Sequence, residues 1–179
     1  QGIVKDFEGN RALDGAELIV QPGEIVCLIG PNGAGKTTLF NVISGAIKPD
    51  AGAVMLSGAA VTRAATHTRI AAGLARTFQV PSLFPGLTVN DHLILARQEA
   101  GNAPLPVAYG EFARLNGDTP AEALSLSDRR SLEIAMAMCA RPTVLLLDEP
   151  AAGLVYQESK GLVETLRRIG AAHRRFGTT

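Results

Sequence analysis

Residues 30–38 read Gly-Pro-Asn-Gly-Ala-Gly-Lys-Thr-Thr. They fit the pattern G-x-x-x-x-G-K-[ST], a loop that cradles the phosphates of a nucleoside triphosphate. Gly30, Gly33 and Gly35 let the backbone curl until its N–H groups point at one anion. Pro31, Asn32, Gly33, Ala34, Gly35, Lys36, Thr37 and Thr38 would then line the phosphates. A helix starting near Lys36 adds the positive end of its dipole. The Lys36 ammonium would reach the β- and γ-phosphates as a point charge, and the Thr37 hydroxyl is placed to ligate Mg²⁺. A second stretch supplies the complementary chemistry. Val144-Leu145-Leu146-Leu147-Asp148-Glu149 reads as a buried strand delivering two carboxylates. Asp148 is placed to hold Mg²⁺ through its water shell, and Glu149 to polarise an attacking water. Taken alone, an Asp-Glu pair after an apolar run is equally a strand end meeting solvent. The upstream loop favours the chemical reading.

Both stretches need elements to position them. Ile25 to Ile29 is an apolar run that predicts a buried strand leading into the loop, and Thr37 to Ile43 predicts the first turns of a helix ending at Gly45. Earlier strand signals fall at Gly2 to Val4 and Ala16 to Val20, with turn chemistry at Asp14-Gly15 and Gln21-Pro22-Gly23. Residues 52–62 read as a hairpin around Gly58, and Thr66 to Ala72 as a short helix closed by Gly73. Leu74 to Phe78 reads as a strand running into a loop at Gln79. Thr88-Val89-Asn90-Asp91 has the form of a capping box with Asp in place of Glu, opening a helix to about Ala100. Residues 101–120 read as a loop with one short helix near Glu111 to Leu115. Asp128 to Cys139 predicts a helix with Leu132, Ala135, Met136 and Cys139 on one face. Thr143 to Leu147 predicts a central parallel strand. Gln157 to Ala172 predicts an amphipathic helix with Leu162, Leu166 and Ile169 as its apolar stripe.

The bulk numbers bound the rest. At 179 residues and 46% hydrophobic content the chain can bury the core of one domain. A formal net charge of +0 argues against a nucleic-acid partner recognised by phosphate neutralisation. Cys27 and Cys139 lie far apart in apolar runs and read as buried thiols of a reducing compartment. No apolar stretch reaches the length of a membrane span, and no signal peptide is evident. The chain begins at Gln1 and ends at Thr179 straight after a helical stretch, which reads as a piece of a longer protein.

Taken together, the residues resemble the nucleotide-binding domain of ATP-binding cassette proteins over nearly the whole chain. The resemblance implies an α/β fold: a P-loop NTPase core with a mainly parallel sheet, an N-terminal antiparallel β subdomain and a small helical subdomain. The expected organisation is one domain over 1–179, with a β subdomain and Walker A core at 1–80. A helical subdomain with the signature segment follows at 81–140, and the Walker B core at 141–179. Gln79, within Arg76-Thr77-Phe78-Gln79, matches the family's Q-loop glutamine, which touches Mg²⁺ and the attacking water. Phe7 sits where the family keeps an aromatic that stacks on adenine, or it is simply an edge-strand aromatic. Leu124-Ser125-Leu126-Ser127-Asp128 lies where the family has Leu-Ser-Gly-Gly-Gln, a segment that binds the γ-phosphate held by the opposite subunit. Ser125 is kept, whereas both glycines and the glutamine are replaced.

The resemblance also implies ATP and Mg²⁺ as ligands and a second nucleotide-binding domain, in a homo- or heterodimer. Transmembrane permease subunits would dock beside Gln79 and residues 81–89, with Leu83 and Phe84 forming part of the socket or of the core. The location implied is peripheral, on the cytoplasmic face of the cell membrane. Ala75-Arg76-Thr77-Phe78-Gln79, residues 132–137 and Glu149-Pro150-Ala151-Ala152-Gly153-Leu154 are similar to ATPases of branched-chain amino acid importers and their urea and amide relatives. ATP hydrolysis coupled to import is therefore the expected activity. The altered signature, an altered D-loop and a missing switch histidine favour a different class, a module that binds ATP without productive turnover. Val155-Tyr156 stand where the family's D-loop has Asp or Asn and then Pro. None of His67, His92 and His173 is placed to act as the switch histidine. The helical region between Gln79 and Ser125 is shorter than in relatives of that subfamily. A cassette protein of DNA repair or translation fits the neutral charge less well, and a small-molecule kinase leaves Gln79 and Ser125 as coincidences.

Overall fold

A computed structural model of the chain describes residues 1–77, 83–99, 101, 112 and 114–176. It divides into two compact units, Gln1–Leu74 and Ala75–Thr179.

The first unit opens with a hairpin of β1 (Ile3–Phe7) and β2 (Asn10–Ala16), paired antiparallel from Ile3↔Ala16 to Phe7↔Asn10. Glu8 and Gly9 form its two-residue turn with φ of 51° and 88°, the type I′ pattern that matches strand twist. A second hairpin, β3 (Met55–Leu56) and β4 (Ala59–Ala60), turns the same way at Ser57-Gly58. Helix α1 (Lys36–Ser44) follows the glycine loop and ends at Gly45, whose left-handed backbone lets its N–H donate to the Val42 carbonyl. Val42 packs with Ile3 and Leu13, flanked by Ala16, Leu39, Ile47 and Val54, so α1 and the first hairpin share a small core. Helix α2 (Thr66–Ala71) carries one charge, Arg69, and buries it almost completely.

Three expectations fail in this unit. The strand predicted at 16–20 lies earlier, because the Glu8-Gly9 turn sets the register and β2 ends at Ala16. Residues 25–29 form no strand, and Ile25, Val26 and Ile29 are exposed, Ile29 by 88%. A strand exists only where its backbone groups find a ladder partner. Among the described residues none pairs with this run. Cys27, within it, is exposed rather than buried.

The second unit is mainly helical. Strand β5 (Leu74–Arg76), which begins at the unit boundary, pairs with β6 (Val144–Leu146). Between them come α3 (Val89–Glu99), a 3₁₀ turn at Ala121–Ala123 and α4 (Leu126–Cys139), and α5 (Tyr156–Phe176) follows β6. The predicted capping box is present. Thr88 Oγ1 accepts from the Asp91 N–H at 3.2 Å, and Asp91 Oδ2 accepts from the Thr88 N–H at 2.9 Å. Helix α4 starts two residues before the expected Asp128, since Ser125 caps it by accepting from the Asp128 N–H. The core is continuous: Val89, Leu93, Phe112, Leu132, Ile134, Ala135, Met138, Cys139, Leu162 and Ile169 are all buried. Leu162 and Ile169 face it, with Leu166 packed against it, as the stripe on α5 predicts.

The strands described here form three two-stranded pairs, two of them antiparallel.

Candidate nucleotide site

The glycine loop is held from both ends. At its start, the Lys36 ammonium donates to the carbonyls of Gly30 at 2.6 Å and Pro31 at 2.8 Å. The Ala34 N–H donates to the Pro31 carbonyl at 3.2 Å, which tightens the curl. At its end, Gly35 is the N-cap of α1 with φ of 83°. A Cβ at Gly35 would stand 2.5 Å from the Ala12 carbonyl oxygen and 2.9 Å from Leu13 Cδ2. Strand β2 therefore lies against the loop so closely that only glycine fits. Pro31, Asn32, Gly33, Ala34 and Thr37 are exposed, while Gly35, Lys36 and Thr38 are half-buried. A glycine loop with exposed residues, a lysine held across it and a helix start behind it suits an oxyanion.

Phe7 ends β1 on the hairpin that supports the loop. Its ring is half exposed, with Lys5 Nζ 5.3 Å from the ring centroid. Lys5 is tied in turn to Asp50 at 2.8 Å.

The far end of α1 depends on Arg69, a residue that motif reading overlooks. Arg69 is 1% exposed. Its guanidinium donates to the carbonyls of Val42 at 2.6 Å, Ile43 at 2.7 Å, Thr62 at 2.9 Å and Ala64 at 3.1 Å. Two of these belong to the last turn of α1, where orphan carbonyls and the negative dipole end favour a cation. Burial lowers the Arg69 pKa, yet guanidinium stays charged in proteins. Gly45 makes room for it: a Cβ there would lie 2.8 Å from Arg69 Nε. The available signal was one charge in an otherwise uncharged short helix.

In the second unit, Asp148 stands two residues beyond β6 and is half-buried. Its Oδ2 accepts from Arg76 Nη2 at 3.1 Å. Glu149 is exposed and sits in left-handed backbone with φ of 46°, an uncommon conformation for a residue with a Cβ. It opens a turn in which the Ala152 N–H donates to the Glu149 carbonyl at 3.0 Å. That turn lies close to the start of α4, for a Cβ at Gly153 would lie 3.0 Å from Leu126 Cδ2. Ser125 is exposed, but its hydroxyl is engaged in its own helix. It donates to Asp128 Oδ2 at 2.8 Å while accepting from the Asp128 N–H at 3.1 Å. Arg114 clamps the same helix start, to Asp128 Oδ1 at 2.6 Å and to Ser131 Oγ at 2.6 Å. Gln79 lies outside the described residues.

Among the described residues no group of three or more His, Cys, Asp or Glu could hold a metal alone. The candidate donors, the Thr37 hydroxyl and the Asp148 carboxylate, are hard oxygens. They suit Mg²⁺, which keeps several waters and arrives bound to substrate phosphates.

The class follows from this loop and fold. The ABC transporter family matches residues 13–152, and the chain belongs to that family as an ATP-binding domain with the P-loop NTPase fold. It is 29% identical, with a TM-score of 0.86, to the ADP conformation of an ATP-binding cassette of an ABC transporter, covering 96% of this chain and 76% of that one. It is 37% identical to the ribose import ATP-binding protein RbsA 1 of Streptomyces coelicolor, over 95% of this chain. It is 33% identical to the high-affinity branched-chain amino acid transport ATP-binding protein BraF of Pseudomonas aeruginosa, over 96% of this chain. The chain spans 36% of the length of the ribose protein and 76% of that of BraF. No helix among the described residues is long and apolar enough to cross a membrane.

Proposed function

We propose that the chain, taken as one cassette domain over 1–179, is the ATP-binding and ATP-hydrolysing motor of an importer for small polar solutes. One observation carries this reading: Lys36 is held by two carbonyls of its own glycine loop at the start of α1. Residues 31–38 would bind the triphosphate, with loop N–H groups and Lys36 neutralising charge that develops on the γ-phosphoryl oxygens. Phe7 would stack on the adenine. Thr37, Asp148 and Gln79 would hold Mg²⁺, which would supply positive charge against the phosphates. Glu149 would accept a proton from the attacking water as the water adds in line to phosphorus and ADP leaves. Ser125 would meet the γ-phosphate bound to a second domain, so that ATP closes a dimer and moves permease helices. Such a subunit works peripherally, at the cytoplasmic face of the membrane. BraF and the phrases at 75–79, 132–137 and 149–154 support a branched-chain amino acid as cargo. The ribose relative supports a sugar.

A second reading, nucleotide binding without turnover, draws on Ser125. Its hydroxyl already serves its own helix, and an acidic Asp128 stands beside it. Fluorescent ATP-analogue binding and phosphate release, measured on the chain, Lys36→Ala and Glu149→Gln, separate the readings. Binding lost in Lys36→Ala and phosphate release lost in Glu149→Gln support the motor. Binding without phosphate release supports the second reading. No saturable binding by the unsubstituted chain refutes both.

A further inference from the structure

We propose that Arg76 is a positioning residue for Asp148, holding one carboxylate oxygen so that the other faces the metal of an incoming Mg–nucleotide. The inference rests on the assignment of Asp148 to that metal and extends it to a residue with no assigned role. Arg76 is the last residue of β5, and Asp148 lies two residues past the end of β6. The Thr77 N–H donates to the Leu146 carbonyl at 3.0 Å, so the ladder runs one residue beyond the named strands. That extension sets Arg76 and Asp148 on neighbouring chains. The pair meets through a single bond, Nη2 to Oδ2 at 3.1 Å. Their side chains are 14% and 17% exposed, which shelters the pair from water and stiffens both rotamers. Asp148 Oδ1 has no partner among the described residues.

A carboxylate gripped at one oxygen and open at the other is prepared for a cation. Partners of this kind fix the orientation of a metal-binding carboxylate, and losing them typically costs about 10–100-fold in metal affinity.

The test uses the full chain and a fluorescent ATP analogue, titrated with Mg²⁺ and again with EDTA. The readout is the ratio of the two dissociation constants. Arg76→Met is expected to cut that ratio by about tenfold while leaving the EDTA value unchanged. Arg76→Lys, which keeps the charge, recovers part of it. In an Asp148→Asn background, Arg76→Met has no further effect, because the residue acts through Asp148. An unchanged ratio in both Arg76 variants overturns the proposal, as does an equal loss with and without Mg²⁺. If Arg76→Met fails to fold, Arg76→Lys alone decides: it must lower the ratio relative to the unsubstituted chain. An unsubstituted chain that binds nucleotide equally with and without Mg²⁺ overturns the metal assignment itself.

Discussion

The two units are stabilised by different means. In residues 75–179, a run of buried side chains from Val89 to Ile169 forms one apolar core, and helical periodicity places them there. In residues 1–74, a smaller apolar cluster centres on Ile3, Leu13 and Val42. There, backbone geometry carries more of the structure: glycine at Gly35 beneath β2, and the carbonyls of α1 gripped by Arg69. The difference matches the work. A phosphate is bound by backbone N–H groups, so the loop must be shaped by main-chain restraints, whereas a helical unit needs a face to pack.

The contrast is tested most severely by Leu132→Ala. Leu132 is 0% exposed, and removing it should destabilise the second unit by about 3–4 kcal/mol, measured by urea unfolding. An equal loss of protection in both units, read by hydrogen exchange, would show that they unfold as one. Arg69→Met comes next. It removes one donor from each of four carbonyls, an expected cost of about 3 kcal/mol, with exchange protection lost first in residues 36–44. Little change there would mean that the loop helix does not depend on this grip.

Lys36→Ala should do the reverse. Stability should fall by only about 1 kcal/mol, through loss of the two exposed hydrogen bonds to the loop carbonyls, while affinity for an ATP analogue falls roughly 10–100-fold, as expected for loss of charged hydrogen bonds to phosphate. Thr88→Ala is smaller still, costing about 1 kcal/mol through loss of one half of the box that opens α3.

The same box predicts a pH dependence. The Thr88 hydroxyl and N–H hold the Asp91 carboxyl below its usual pKa. The folded carboxylate therefore takes up its proton at lower pH than the unfolded one. The stabilisation is complete above the unfolded value, about pH 4, and is lost as pH falls through the folded value. Asp91→Asn should flatten the dependence of thermal stability on pH below about pH 4 relative to the unsubstituted chain.

Much of this was legible in advance. Glycines and Gly-Lys-Thr at fixed spacing announce the loop, since no other residue types supply its backbone angles and its cation. Threonine three residues before aspartate announces the cap of α3, and the stripe Leu162, Leu166 and Ile169 announces the buried face of α5. The run Ile25 to Ile29 shows where such reading stops. Apolar composition marks a segment able to join a sheet, but a strand also needs a neighbour, and neighbours are set by the whole chain.

By itself, then, the sequence determined the local chemistry: a phosphate loop, two carboxylates after an apolar run, and amphipathic helices to carry them. These follow from side-chain type and short-range periodicity. Only the tertiary structure decided the pairings between distant residues. Arg69 on the carbonyls of α1, Arg76 on Asp148 and Arg114 on Asp128 are each a long basic side chain whose partner its own neighbourhood leaves open. Arginine reaches far and offers five donors, so the carbonyl or carboxylate it finds is fixed by how the elements pack.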